Sequence, residues 1–382
     1  MDNNNNSENN RIMYKIWGIC FVCLIVSLAV IHFVTKDKDY SYSEKSKLTT
    51  RNNIVNSIKY NDNIVDVVEE YFSDQFPGRD NVVRWKASFD RLMGKIRFQD
   101  IYICDNGYMI QDFEKPDKNN IDEMCERING FADKYQKSNV YMLLVPNAIS
   151  VYKEYLPEYV SVNDQNAFID EVYERLTGIQ CMDIRPLFNE KRSEIQLYYY
   201  TDHHWTTDAA YIAYGLLADK MNFDRKTGLN SGIVCNNFIG TLASKSGYSP
   251  KAKDSIKVYF DSENDVYYTV NYEDEQILEG TCYKTEKLSG DNPYEVFFGG
   301  NHSSIEINSS ADTDRTLLVF KDSYANCVIP FLIGHYSKIK IIDPRYYSED
   351  IDIVMKMNDY SDVLFLYNVN TFSQDTSLKM II

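Results

Sequence analysis

Residues Ile16 to Val34, IWGICFVCLIVSLAVIHFV, contain no charged side chain. In helical form these 19 residues, at ~1.5 Å each, span a hydrocarbon core of ~30 Å. Arg11 and Lys15 precede the run, and Lys36, Asp37, Lys38 and Asp39 end it. A cleaved signal peptide is the competing reading, but its small-residue match, Ser27-Leu28-Ala29, lies inside the apolar run. The sequence therefore reads as a single-pass membrane protein with residues 1–15 as a cytoplasmic tail and 16–34 as the transmembrane anchor. Residues 35–59 read as a polar linker, and 60–382 as a domain on the extracytoplasmic side of the cell membrane.

The formal charge is −16, from 40 basic and 56 acidic residues. This balance argues against a nucleic-acid partner, because phosphate neutralisation needs a basic surface. Apolar residues make up 44% and charged residues 25%, a composition that folds. The 31 tyrosines suit half-buried faces and also the stacking platforms that sugars use. Of the 8 cysteines, Cys20 and Cys23 lie in the span and the other six are dispersed, with no zinc spacing. These six read mostly as small buried residues.

Along the chain, Ile101 to Ile110 reads as a hairpin about an Asn106-Gly107 turn. Apolar runs at Val140–Val145, Ile179–Ile184, Leu317–Phe320, Ile339–Ile342 and Val363–Leu366 read as strands. Helical patterns at 122–137, 167–176, 208–221, 325–336 and 351–357 alternate with them. This alternation predicts an α/β fold, a parallel sheet flanked by helices on both faces. Residues 228–312 are rich in short Tyr/Val runs and turn residues, and read as a β-rich insertion.

Two clusters could carry chemistry. The first is Tyr198 to Asp208, with Asp202, His203 and His204. In an extended segment Asp202 and His204 share a face, with His203 opposite, which suits a dyad whose carboxylate orients the imidazole. The second is Lys321-Asp322-Ser323-Tyr324, between a strand and a helix. A serine there stands at the carboxyl edge of the sheet, beside the N–H groups of a helix start. Each has an ordinary alternative: Ser323 as a helix cap, and the histidines as core residues or metal ligands.

Together these residues resemble a family. Thr201-Asp-His-His-Trp-Thr206, then Lys321-Asp-Ser-Tyr-Ala-Asn326, resembles the DHHW proteins, which are similar to the alginate O-acetyltransferases with their SGNH-hydrolase-like fold. Segments at Tyr71–Asp80, Gly299–His302, Asp343–Tyr347 and Val363–Phe372 extend the likeness over residues 60–372. The serine motif follows the Asp/His motif, the reverse of ordinary SGNH hydrolases, and Lys321 stands where that motif usually has glycine.

The resemblance implies a triad of Ser323 as nucleophile, His204 as base and Asp202 as orienter. It implies oxyanion-hole candidates at Ser323, Asn368 and the Arg345–Tyr346 region. Gly300-Asn301 is a competing candidate, and Gly300, Asn301, Tyr324 and Trp205 are candidates for substrate contact. The activity implied is an O-acetyltransferase acting on a polysaccharide through an acetyl-serine. Its acetyl group would come from a membrane-bound O-acyltransferase partner. No nucleotide-binding loop is present, and the reading calls for neither a cofactor nor a metal. A carbohydrate esterase with the same triad and a non-catalytic sugar-binding scaffold are the alternatives. A manganese phosphoesterase lacks its further ligands here. Palmitoyl transfer is excluded, because Trp205 replaces the cysteine it needs.

Overall fold

The computed structural model describes every residue except Met1, 42–45, 61–63 and 263–265. Contacts divide the chain into two compact units: Met1–Gly94 with Gly247–Ser249, and Lys95–Ser246 with Pro250–Ile382. Residues 60–94, expected inside the extracytoplasmic domain, thus group with the segment that carries the apolar run.

Among its described residues the first unit holds four helices: α1 (Asp2–Val34), α2 (Arg51–Tyr60), α3 (Ile64–Asp74) and α4 (Arg79–Leu92). Among the described residues, α1 is the one helix long and apolar enough to cross a membrane, over Arg11–Val34. Its carboxyl end leaves carbonyls without helical partners. Arg51 donates to three of them, those of His32, Phe33 and Thr35, at 3.2–3.4 Å. The expected linker thus contains a helix whose first residue caps the span. Gly78 has φ +71°, a conformation that an L side chain rarely adopts, and it turns the chain into α4.

The second unit is built on an eight-stranded sheet. Its strands are β1 (Asn139–Val145), β2 (Gln180–Met182), β3 (Tyr268–Tyr272), β4 (Ile277–Glu279), β5 (Ser304–Ser309), β6 (Thr316–Lys321), β7 (Lys338–Ile342) and β8 (Asp362–Asn368). Their order across the sheet is β4-β3-β5-β7-β6-β8-β1-β2. The five strands from β7 to β2 are parallel, as the alternation predicts. The insertion departs from expectation. Instead of standing apart, it adds β5, β3 and β4 antiparallel to the β7 edge. Tyr272 pairs with Ile305, and Ile305 with Ile341, so the apolar face continues across the junction. The rest of the insertion supplies a separate hairpin, Asn230–Phe238 with Asp254–Phe260.

Helices α5 (Lys118–Lys134), α6 (Gln165–Arg175), α7 (Thr207–Met221) and α8 (Ile351–Met357) cover the sheet. Asp117, Asp164, Thr206 and Asp350 cap them by accepting bonds from first-turn N–H groups. Ala209, Ala210, Ala213 and Ala218 bury one side of α7. The helix expected over 325–336 is broken into three short turns, Ser323–Cys327, Ile329–Leu332 and Ile333–His335, around Pro330 and Gly334. Cys104, Cys125, Cys282 and Cys327 are buried.

At the centre, Phe320 of β6 stacks on Phe365 of β8 at 4.8 Å, and Phe131 meets both rings edge-on. Phe365 is fully buried. Phe365→Ala is expected to cost about 3–5 kcal/mol of unfolding free energy, read as a lower urea midpoint. An unchanged midpoint would contradict this packing.

Candidate active site

Three neighbouring parallel strands end side by side. Strand β6 leads into Asp322-Ser323, β8 ends on Asn368, and β1 leads into Pro146-Asn147. Asp322 is fully buried at this edge. It accepts from the Tyr324 N–H at 2.8 Å and from the N–H and side-chain amide of Asn368 at 2.8 and 2.6 Å. Burial pushes its carboxyl up to about 6, against the opposing charge of Arg345. This latch holds the turn that presents Ser323, which stays half-buried and within reach.

The histidine segment approaches from the loop between Tyr198 and Trp205, which form an isolated bridge. His204 Nε2 lies 2.8 Å from Ser323 Oγ, and His204 Nδ1 lies 2.5 Å from Asp202 Oδ1. The sequence expectation of strand alternation is corrected here. The His204 N–H donates to Asp202 Oδ1 at 2.9 Å, so a tight turn closed by the carboxylate makes the pairing. His203 is not opposite: its ring lies 3.9 Å from that of His204, and its Nδ1 is 2.8 Å from Thr241 Oγ1.

Asp202 is 2% exposed. Burial alone would raise its carboxyl, but the neighbouring imidazoles and the hydrogen bonds from His204 and Thr241 hold it well below the usual range. Its Oδ2 accepts from the Thr241 N–H at 2.7 Å and hydroxyl at 3.0 Å. Gly240 makes this approach possible: a Cβ there would stand 2.2 Å from Asp202 Cβ. Burial, then the adjacent His204, pushes His203 down to about 3.

The insertion therefore braces the site, a role that its composition did not reveal. Asp254 accepts from the Tyr200 and Thr201 N–H groups and the Thr201 hydroxyl at 2.7–2.9 Å. Tyr294 stacks on His204 at 3.9 Å and 17°, and its hydroxyl donates to the Ser323 carbonyl at 3.4 Å.

The other sequence-predicted residues fall as follows. Trp205 and Tyr324 are fully buried, so neither offers a face to a substrate. Trp205 donates to the Tyr324 carbonyl at 2.9 Å, and the Tyr324 hydroxyl bonds to the His203 carbonyl; both pack behind Ser323 and the histidine segment. Asn368 is also buried, and its amide donates to Asp322 and to Thr371 Oγ1, so its side-chain donors are committed. Arg345 binds Asp343 through a fork at 2.7–2.8 Å and is partly exposed; Tyr346 is exposed. Lys321 is 1% exposed and reaches Asp343 at 3.3 Å and Asn301 at 3.0 Å, tying the ends of β6 and β7. This explains a lysine at the motif's glycine position. Gly300 accepts from Asn326 at 3.2 Å, and Asn301 is exposed.

Sequence reasoning missed Asn147, Gln165 and Asn370, a buried amide cluster behind Asn368 with mutual bonds of 3.0–3.1 Å. Pro146-Asn147 at a strand end was the one available signal. Among the described residues, Asp202, His203 and His204 could group around a metal. Both nitrogens of His204 and both oxygens of Asp202 are already engaged by Ser323 and Thr241 and by each other.

Residues 108–233 match the family described as SGNH hydrolase-like domain, acetyltransferase AlgX. The fold is SGNH-hydrolase-like. A DHHW family protein from Eubacterium siraeum is 22% identical, with a TM-score of 0.65 over 73% of this chain and 93% of that one. Bacillus cereus PatB1 with a sulfonyl adduct is 19% identical, with a TM-score of 0.61 over 72% of this chain and 98% of that one. No curated protein matches the chain. The likeness to acetyltransferase domains thus covers the histidine segment and α7, while the serine turn lies beyond the matched residues.

Gly240→Ala is expected to lower ester turnover about 100-fold with the fold retained, because Asp202 must move; full activity with an unshifted melting temperature would contradict the brace. Asp322 takes up its proton at a higher pH when folded than its ordinary 3.8. Stability from this group therefore rises as pH falls from about 6 to about 4; Asp254, which burial also raises, acts in the same direction. Asp322→Asn is expected to flatten that slope in thermal melts.

Proposed function

We propose that the chain is a membrane-anchored O-acetyltransferase that acts outside the cytoplasm on hydroxyl groups of a polysaccharide through an acetyl-Ser323 intermediate. The observation that carries the reading is the aligned hydrogen-bond series Ser323 Oγ–His204 Nε2 and His204 Nδ1–Asp202 Oδ1, at 2.8 and 2.5 Å. It supplies nucleophile, base and orienter in hydrogen-bond reach.

Ser323 Oγ attacks the acetyl carbonyl carbon while His204 Nε2 takes the serine proton. Collapse of the tetrahedral intermediate breaks the bond to the donor's oxygen, which leaves with the proton from His204. A sugar hydroxyl then attacks the acetyl-serine, giving its proton to His204, and Ser323 Oγ regains that proton as it departs. Asp202, held ionised by its partners, stabilises the imidazolium in both halves. In this reading the Ser323 N–H, in the first turn of its short helix, serves the developing oxyanion, and the partly exposed Arg345 adds positive potential. The structure offers no free side-chain amide at Asn368 for that task.

The apolar α1 supports a single-pass anchor, with Arg11 and Lys15 favouring a cytoplasmic tail. Acetyl donors made in the cytoplasm would then need transfer across the bilayer, which a membrane-bound O-acyltransferase partner would supply.

PatB1 carries a sulfonyl adduct in one of its structures, and the same class of probe tests this chain. A sulfonyl fluoride is expected to add to Ser323 and to no other serine. Ser323→Ala is expected to abolish both labelling and acetyl-ester turnover, leaving less than about 1%. Undiminished turnover in that variant would overturn the assignment.

A further inference from the structure

Helix α4 turns its apolar side outward. Val82, Trp85, Phe89 and Leu92 are 46%, 74%, 61% and 83% exposed, while Ala87 on the other side is buried. At about 100° per residue these four, with the exposed Met93, fall within an arc of about 100°. A contiguous row of this size on a water-facing helix marks a surface that meets something apolar.

The location of the helix identifies what it meets. Phe72 of α3 stacks on His32 near the end of α1, at 4.9 Å and 20°, and His32 Nδ1 lies 3.2 Å from the Gln75 carbonyl. Gln75 also bonds to the Lys38 N–H and carbonyl at 3.0 and 2.9 Å. Arg79, the first residue of α4, pairs with Asp74 at 3.4 Å, and Asp80 accepts from Ser41 at 3.4 Å. The α3–α4 turn is therefore fastened to the few residues that follow the apolar run. If α1 crosses a bilayer, α4 begins at its surface.

We propose that α4 is an interfacial helix, lying in the surface of the bilayer that α1 crosses, on the side where Val34 emerges. The inference rests on the reading of α1 as a retained anchor. Val82, Trp85, Phe89 and Leu92 enter the boundary between headgroups and acyl chains, where an indole ring is favoured. Lys86 borders the apolar arc and Arg84 lies on the far side, and both are exposed. The stem of Lys86 follows the apolar face and its ammonium meets lipid phosphate. The occupant is thus the lipid surface itself, whose apolar boundary this face matches.

The chain has 3 tryptophans, which makes the test direct. Trp17 lies in the span and Trp205 is fully buried, so Trp17→Phe leaves Trp85 as the one indole open to lipid. The full-length Trp17→Phe chain is reconstituted in vesicles of phosphatidylcholine and phosphatidylglycerol, with or without acyl chains brominated near the headgroup. A parallel Trp17→Phe/Trp85→Phe chain supplies the Trp205 background. The difference, the Trp85 emission, is expected to fall at least about twofold with the brominated lipid. Unquenched Trp85 emission in vesicles that retain the chain against alkaline carbonate would overturn the proposal while leaving the anchor intact. If the chain also sediments as a dimer in detergent, the face belongs to a second copy. Release of the chain by carbonate would instead refute the anchor, and the proposal with it.

Discussion

Asp202 is a charge taken out of water, and the arrangement of the active site follows from how that charge is kept. A carboxylate at 2% exposure would ordinarily protonate. Here each oxygen has donors: the N–H and Nδ1 of His204 on one, the N–H and hydroxyl of Thr241 on the other. The same bonds that keep Asp202 ionised fix the tautomer of His204 and aim its Nε2 at Ser323. Thr241 comes from the insertion, and it approaches because Gly240 has no side chain. The inserted segment thus braces the candidate site, through Thr241, Asp254 and Tyr294.

A second buried carboxylate, Asp322, performs the matching task on the serine side. It joins the end of β6 to the end of β8 through Asn368, and Asn368 joins β8 to β1 through Asn147. Lys321 and Arg345 meet on Asp343 and tie β6 to β7. Parallel strands ending together leave their last carbonyl and N–H groups without ladder partners, and buried side chains fill that need. Removing one partner from such a set exposes an uncompensated buried group, which explains why polar residues persist at an otherwise apolar edge.

Much of this was legible in the residues. The five parallel strands and their helices announce themselves by apolar runs that alternate with helical periodicity. Asp202, His204 and Ser323 stand out because a carboxylate, an imidazole and a hydroxyl recur at turns next to strands. What escaped has physical reasons. The insertion's strands β3, β4 and β5 look like an independent β-rich segment because antiparallel edge pairing leaves no mark on local periodicity. The Asp202–His204 spacing admits both a strand and a carboxylate-closed turn, and the turn prevails because it also satisfies the His204 N–H. Trp205 and Tyr324 invite a sugar-stacking role, yet their polar atoms find internal partners and their rings pack behind the histidine segment. Asn368 resembles an oxyanion donor in the chain, but Asp322 claims its amide.

In the proposed reaction acetyl passes through Ser323 to a sugar. Time-resolved mass spectrometry of the full-length chain with a chromogenic acetyl ester, with and without an oligosaccharide acceptor, tests it most directly. A mass increase of one acetyl group on Ser323 is expected, persisting without acceptor and moving to the oligosaccharide when acceptor is added. An adduct lost equally fast to water in both samples would make the chain an esterase, and the absence of any adduct on Ser323 would contradict the triad itself.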